Sequence, residues 1–269
     1  MNFDKGLIYT LITGASTGLG KALAYECASR AMNLILTSLP GERLNDVRND
    51  IIRFHDVDVK TFEGDLTKRE CVSALMTALE NRSINMVINN AGIGGSHEID
   101  KVPFPMIDSI IALNIGTTAF LSCALLPKLS RHERAYILNV SSIISQYPVP
   151  FKTVYPASKA FIYSFTRGLN EELKETNISV SVLLPGPMTT NGSVSRRIQK
   201  QGFLGEILNL DPKVVAKIAV TQILKGKKVI IPGILNNICW GLMKSIPKFI
   251  GVSLFSKIYK REVEEYQYG

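Results

Sequence analysis

The chain has 269 residues, 46% of them hydrophobic, with a mean hydropathy of +0.14, which is enough apolar material for a full core and excludes a disordered or low-complexity chain. Residues 1–195 carry 18 basic and 18 acidic side chains and residues 196–269 carry 13 and 5, so the whole net charge of +8 lies in the C-terminal quarter. A body of balanced charge excludes a general nucleic-acid coat and leaves room for a local basic patch against an anionic ligand or a membrane surface.

The N-terminal apolar run, residues 7–12, is cut by Thr13-Gly14 and is too short for a secretory leader. Cys27, Cys71, Cys123 and Cys239 stand singly, without metal-ligand spacing, and read as reduced core residues of a cytoplasmic protein. Residues 7–12 read as a buried strand and 18–30 as a helix with Leu19, Ala22, Leu23 and Cys27 on one face. Between them lies Thr13-Gly-Ala-Ser-Thr-Gly-Leu-Gly20. Glycine at Gly14, Gly18 and Gly20 permits a tight turn and close approach of backbone, and a helix N-terminus offers free N–H groups and a positive dipole end that suit a pyrophosphate. The TGxxxGxG spacing is wider than GxGxxG, so a dinucleotide reading rests on the strand–loop–helix setting; an ordinary glycine turn is the plainer alternative.

A second strand, 33–38, precedes a helix from about 42 to 53. An acid at the end of such a strand would favour NAD and an arginine NADP. Thr37-Ser38-Leu39-Pro40-Gly41 is neither, so cofactor choice stays open with a lean to NADP; the same hydroxyls would also suit a turn. The third strand, 57–62, runs into Asp65-Leu66-Thr67, where Asp65 either caps the next helix or meets an adenine. The fourth strand begins at Ile84 and ends in Asn89-Asn90-Ala91-Gly92, followed by Gly94-Gly95, read as a flexible loop, and by His97, which is given no role. Residues 103–129 form a long helix with Asn114 at its middle, a poor helix-interior residue. Residues 135–140 make a fifth strand, 154–175 a helix, 178–184 a sixth strand, and Pro185-Gly-Pro-Met-Thr-Thr190 breaks the chain. Asp211-Pro212 opens a helix to Leu224, with Asp as cap and Pro in the first turn, before a seventh strand at 225–231. Strand–helix alternation fixes the class as α/β with a parallel sheet.

Tyr155 and Lys159 are four apart at the start of a helix, on one face. An ammonium there would favour the phenolate and lower the Tyr155 pKa. Taken together, residues 13–20, Asp65, residues 89–92, Asn114, Ser142, Tyr155 to Lys159 and Pro185-Gly186 resemble the short-chain dehydrogenase/reductase family over residues 5–231. The 13-residue step from Ser142 to Tyr155 selects Ser142 over Ser141; where the family often has Gly three after that serine, this chain has Ser145. The resemblance implies a single doubly wound, seven-stranded parallel Rossmann sheet over residues 1–231, with a substrate lid at 188–208. It further implies catalysis by Asn114, Ser142, Tyr155 and Lys159, with Asn114 holding a water that joins Lys159 to solvent. The NADP or NAD cofactor would meet Gly14, Ser16, Thr17, Gly18, Leu19, Gly20, Ser38, Asp65, Leu66, Asn90, Ala91, Gly92, Tyr155, Lys159, Pro185, Gly186, Met188 and Thr190. Retention of all four catalytic types argues against a non-catalytic dinucleotide sensor or scaffold on the same fold.

Beyond Pro232, Ile234, Leu235, Ile238, Cys239, Trp240, Leu242, Met243 and Ile246 make a wide apolar stripe, and a second piece carries Phe249, Ile250, Val252, Leu254, Phe255, Ile258 and Tyr259 beside lysines. Neither piece reaches the ~20 apolar residues that span a bilayer. Residues 232–269 therefore read as an amphipathic helical extension that lies on a membrane surface, covers a greasy substrate entrance, or packs on the domain or a second subunit. Arg196, Arg197 and Lys200 lie where an anionic substrate tail would pass. Interleaved Ile, Leu and Phe do not suit a nucleic-acid face. Similar tails in relatives acting on steroid, 3-ketoacyl or 3-ketosphinganine ketones imply a small hydrophobic carbonyl substrate. The family resemblance further suggests a homo-oligomer (dimer or tetramer), and the amphipathic extension a cytoplasmic protein peripheral to membrane.

Overall fold

The computed structural model describes residues 6–188, 208–245, 247, 249–253, 255–256 and 259–260. Thr190, Arg196, Arg197, Lys200 and most of the 188–208 segment lie outside the described residues, as do Ile246, Leu254 and Ile258 of the C-terminal stripe.

Seven strands run parallel in the order β3-β2-β1-β4-β5-β6-β7. They are β1 (Ile8–Thr13), β2 (Asn33–Ser38), β3 (Val59–Glu63), β4 (Ser83–Asn89), β5 (Ala135–Val140), β6 (Ile178–Leu183) and β7 (Val229–Ile230). The central strands read as near-continuous apolar runs because helices cover both faces, and β5 is buried along its whole length. One face packs Leu19, Leu23, Cys27, Val215, Ala219 and Ile223 from α1 (Gly18–Ala28) and α8 (Pro212–Leu224). The other packs Leu75, Leu121, Leu129 and Leu169 from α3 (Arg69–Ala78), α5 (Thr118–Ala124), α6 (Leu126–Leu129) and α7 (Val154–Glu172), with Leu125 between α5 and α6. Helix α2 (Leu44–Phe54) buries Leu44, Val47 and Ile51 beside α1. The chain order reverses direction between β1 and β4, so the crevice of the sheet opens at the carboxyl ends of those two strands.

Three expectations are refined. The long helix at 103–129 is α4 (Phe104–Ile110), a π-helical segment at Ile111–Thr117, then α5 and α6; Thr117 Oγ1 donates to Leu66 O at 2.6 Å and to Ala112 O at 3.1 Å, holding the widened turn. Its length and apolarity would suffice for a membrane crossing, yet it lies against the sheet through Leu121, Leu125 and Leu129. The seventh strand is only two residues long, since Lys225-Gly226-Lys227 forms a turn, with Gly226 at φ +71°. Of the four cysteines, all free, only Cys27 is in the core; Cys123 is exposed because it lies on the outer side of α5.

As expected, Asp211 caps α8: its carboxylate accepts from Lys213 N at 2.7 Å, with Pro212 in the first turn. Helix α9 (Ile234–Ser245) follows β7 and sets Trp240 against Val182, Leu184 and Ile231.

Candidate active site

The loop after β1 is shaped by what cannot carry a Cβ. Gly14 and Gly18 have φ of +66° and +53°, and a Cβ on Gly20 would stand 1.9 Å from Gly14 O. Helix α1 thereby starts hard against the loop. Its first turn contains no acid, and Thr17 makes no side-chain cap, so the first N–H groups have no competing side chain. Asn90 braces this loop: Nδ2 donates to Thr13 O at 2.9 Å and Gly14 O at 3.0 Å, while Thr13 Oγ1 accepts from Asn90 N and Ala91 N, both at 3.0 Å. The side chain expected at the cofactor is therefore a brace of the cradle. Asn89 belongs to a buried network with Ser122, Asn139 and Thr166 beneath the site.

At the edge of the cradle, Ser16 donates to Glu42 at 2.6 Å, a pairing across 26 residues that no motif announced. Ser38 donates to Leu39 O at 2.9 Å and so serves its turn. Arg43 is exposed and paired with Asp46. Asp65 accepts from Thr67 N at 3.0 Å and Thr67 Oγ1 at 2.7 Å, bonds that hold its carboxyl below the usual value; it closes a turn ahead of α3 and leaves the cap position of that helix to Lys68. Leu66 is buried and its carbonyl receives Thr117.

Four segments meet across the crevice from this cradle. Asn114 is fully buried in the π-helical segment, where its Oδ1 accepts from Ile93 N at 3.0 Å and its Nδ2 donates to Ile93 O and Ser158 Oγ, both at 2.9 Å. The side chain is thus spent on fastening the loop after β4 to α7, and a water held by Asn114 would have to use its backbone. A π-helical turn at such a place is common near functional sites. Lys159 is buried in α7, with Nζ donating to Val140 O at 2.9 Å, which leaves two of its three N–H groups for other acceptors. A Cβ on Gly92 would stand 3.2 Å from that Nζ, so the loop backbone passes directly over the amine.

Tyr155 stands one turn before Lys159, whose Nζ is 5.7 Å from the ring centroid. Its pKa goes the opposite way from the sequence expectation. Burial pushes the phenol up to about 12, with hydrogen bonding to Ser142 the opposing influence. Burial likewise pushes Lys159 down to about 8, because no carboxylate offsets its desolvation. In the protein alone, desolvation is the largest influence on both groups. Ser142 sits at the end of β5, accepts from Ile144 N at 3.4 Å and heads the short turn Ile143–Gln146, in which Ser145 is buried with its N–H on Ser142 O at 3.1 Å. Ser145 therefore fits the turn that the family often builds with glycine.

Gly94 and Gly95 are close-approach positions. A Cβ on Gly94 would stand 2.5 Å from the Tyr155 ring, and one on Gly95 2.4 Å from Met106 and 3.0 Å from His97. His97, given no role from sequence, lines a narrow cleft beside Tyr155 with Met106, Ile110, Phe151 and Val154. Gly186 completes the crevice: a Cβ there would strike Asn236 Oδ1 at 2.5 Å, and Asn236, buried in α9, ties Leu208 O and Pro232 O to it. Met188 bridges to Leu210 beside it.

A parallel sheet with a glycine-shaped helix N-terminus at its switch point, and a Ser–Tyr–Lys group facing it, defines the class of nicotinamide dinucleotide oxidoreductases. The cradle fits such a cofactor, since the space a Cβ would fill at Gly14 and Gly20 is taken up by close backbone packing at a free helix N-terminus. The family model described as short chain dehydrogenase matches residues 9–201, and the chain belongs to that family. It is 34% identical over 200 residues to the very-long-chain 3-oxoacyl-CoA reductase of Anas platyrhynchos, covering 72% of this chain and 63% of the relative. It is 32% identical to the 17-beta-hydroxysteroid dehydrogenase type 3 of Homo sapiens, covering 68% and 59%. The matched part thus spans about three fifths of these relatives' length. A Sphingobium yanoikuyae short-chain dehydrogenase in complex with NADPH superposes with a TM-score of 0.76 at 26% identity, covering 90% of this chain and 97% of the other. The bulky-bulky ketone specific alcohol dehydrogenase of Comamonas testosteroni does so at 0.74 and 27%, covering 89% and 95%.

Proposed function

We propose that the protein is an NAD(P)H-dependent reductase of a hydrophobic, lipid-like ketone. The observation that carries this reading is the grouping of Ser142 and Lys159 around Tyr155, which itself lines an apolar cleft. When bound, the nicotinamide supplies or accepts the hydride at the substrate carbon. Tyr155, a neutral phenol by virtue of its burial, gives its proton to the ketone oxygen in reduction and takes it back in oxidation. Ser142 hydrogen-bonds that oxygen as charge gathers on it. Lys159 would hold the nicotinamide ribose hydroxyls with the N–H groups not used on Val140, and its charge would stabilise the phenolate left after proton transfer. Asn114 fixes the backbone around Ile93 and offers its own backbone to a water that relays a proton toward Lys159.

For the cofactor's other end we favour NADP: residues 37–41 contain no acid to repel a 2′-phosphate, Glu42 is turned onto Ser16, and one relative was solved with NADPH. The cradle residues Gly14 to Gly20, with Ala91, Gly92, Pro185 to Met188 and Thr190, would surround it. The ketone is placed among lipophilic carbonyls because the cleft is lined by Met106, Ile110, Phe151 and Val154 and because similar proteins are named for 3-oxoacyl-CoA and steroid substrates. Ile234, Leu235, Ile238 and Leu242 on α9, with Phe249 beyond it, present an exposed apolar face in the basic quarter of the chain, which supports a peripheral seat on an anionic membrane surface from the cytoplasmic side. Exposed Ile111, Phe120 and Phe161 on the helices covering the other sheet face support a homo-oligomer.

The test is oxidation of NADPH and NADH against steroid, 3-ketoacyl and long-chain amino-ketone substrates. NADPH-linked reduction of at least one is expected. Tight cofactor binding with no turnover of any would replace the enzyme by a dinucleotide sensor, and a preference for NADH would give Glu42 the ribose.

A further inference from the structure

The loop from Ser142 to Tyr155 carries both groups that would act on the ketone oxygen, and its last part, Phe151 to Val154, forms one wall of the cleft. Within the loop, Lys152 N donates to Val149 O at 3.3 Å and Tyr155 N to Lys152 O at 3.0 Å. Phe151 sits at φ +63°, a conformation that a bulky L-residue holds only when its surroundings impose it. One support comes from inside the domain: His97 N donates to Phe151 O at 2.7 Å.

The other support comes from nearly a hundred residues later. Tyr147, 5% exposed, donates its hydroxyl to Met243 O at the end of α9. Gly251 lies flat on the same ring, where a Cβ would stand 2.1 Å from Cε1. The ring of Phe255 packs at 5.8 Å from that of Tyr147 and the ring of Tyr259 at 6.4 Å from that of Phe255. Lys152 places its Nζ 4.4 Å above the Tyr259 ring, and Val149 is buried in the same cluster. The extension therefore has two sides: an inner one built onto the loop and an outer one left exposed.

We propose that Tyr147 and Gly251 are positioning residues through which the C-terminal extension sets the ketone cleft, so that the extension selects substrates with a long apolar body. The mechanism is steric. Released from Met243 and Gly251, Tyr147 carries Val149 and Phe151 with it, and the wall opposite Met106 and Ile110 shifts. A small ketone touches only the Tyr155 end of the cleft and does not sense the shift; a long one spans the wall. The substrate part of this inference rests on the ketone-reductase reading, whereas the latch itself does not.

The full chain, Tyr147→Phe and Gly251→Val are compared by steady-state kinetics and by hydrogen exchange of residues 143–153. The expected result is a KM for a long-chain ketone raised about fivefold or more in both variants, as for the loss of one well-buried contact. The KM for a small ketone, kcat and the dissociation constant of NADPH stay unchanged, and exchange in 143–153 becomes faster. An equal KM rise for both ketones, or exchange in 143–153 as slow as in the unaltered chain, overturns the proposal. If no ketone is turned over by the unaltered protein, the reductase reading falls and the exchange measurement alone decides the latch. Should Tyr147→Phe fail to bind NADPH, Gly251→Ala, which adds only the clashing methyl, replaces it.

Discussion

The glycine cradle and the C-terminal extension both pack against catalytic segments, but they do so by different physics. The cradle is an arrangement of backbone: Gly20 touches Gly14 O, and Asn90 bonds Thr13 and Gly14 carbonyls. Such contacts admit few residue types, so they write themselves into the sequence as glycines at fixed spacing. The extension meets the Ser142–Tyr155 loop through side-chain packing, with Tyr147, Phe255 and Tyr259 as its core. Many apolar residues could serve there, so the sequence records only a stripe. The difference teaches that a motif marks where close backbone approach is required, and that a cleft wall made of apolar side chains leaves no comparable mark.

The largest expected break of this comparison is on the cradle side. Gly20→Val places branched atoms where even a Cβ would lie 1.9 Å from Gly14 O, and backbone must move. NADPH binding should then weaken more than about a hundredfold, with a stability loss of about 3 kcal/mol or more, read by titration and by denaturant unfolding. Cofactor affinity within threefold of the original would show that the cradle is not formed by close packing.

A smaller effect is expected from pH, and it distinguishes buried Lys159 from half-buried Tyr155. The folded pKa of Lys159 is lowered from 10.5 to about 8, so the folded state binds fewer protons than the unfolded one between these values and stability rises with pH across that window. Tyr155 is raised from 10.0 to about 12, so the folded state holds the proton longer and stability falls from pH 10 to 12. On the proposed mechanism ketone reduction uses the charged amine and should decline above about pH 8, while Lys159→Met should flatten the stability rise between pH 8 and 10. A rise of the same slope in that variant would assign it to another group.

The smallest effect lies away from both regions. Asp211→Ala removes the acceptor of Lys213 N and should cost about 1 kcal/mol of stability with kcat unchanged. Unfolding and turnover measured together check it.

Much of the fold was legible because strand runs and helix stripes alternate along the chain: β1, β2 and β5 and the Asp211-Pro212 helix start fall where the pattern puts them. The π-helical widening around Asn114 was not, since it depends on Thr117 reaching Leu66 O from another element. At the site, spacing brought Ser142, Tyr155 and Lys159 together, but not the sign of the Tyr155 shift. Charge proximity is visible in a sequence, whereas the desolvation that overrides it is a property of the packed protein. Gly94-Gly95 looked like a flexible loop because glycine serves both flexibility and close approach, and the Tyr155 ring and Met106 beside them show which. His97 gave no periodic signal at all; a histidine two residues past a glycine pair could have been flagged only by asking what such a pair lets approach. Glu42 stands four residues beyond Ser38, and its reach back to Ser16 follows from the turn at Pro40-Gly41, with Gly41 at φ +81°.

The central claim is that Tyr155 is the proton donor of a ketone reductase, and Tyr155→Phe tests it most directly because only the hydroxyl is removed. The account predicts NADPH binding within about twofold of the unaltered protein together with ketone turnover lowered about a thousandfold or more. Turnover within tenfold of the unaltered protein, with the cofactor bound, would contradict it.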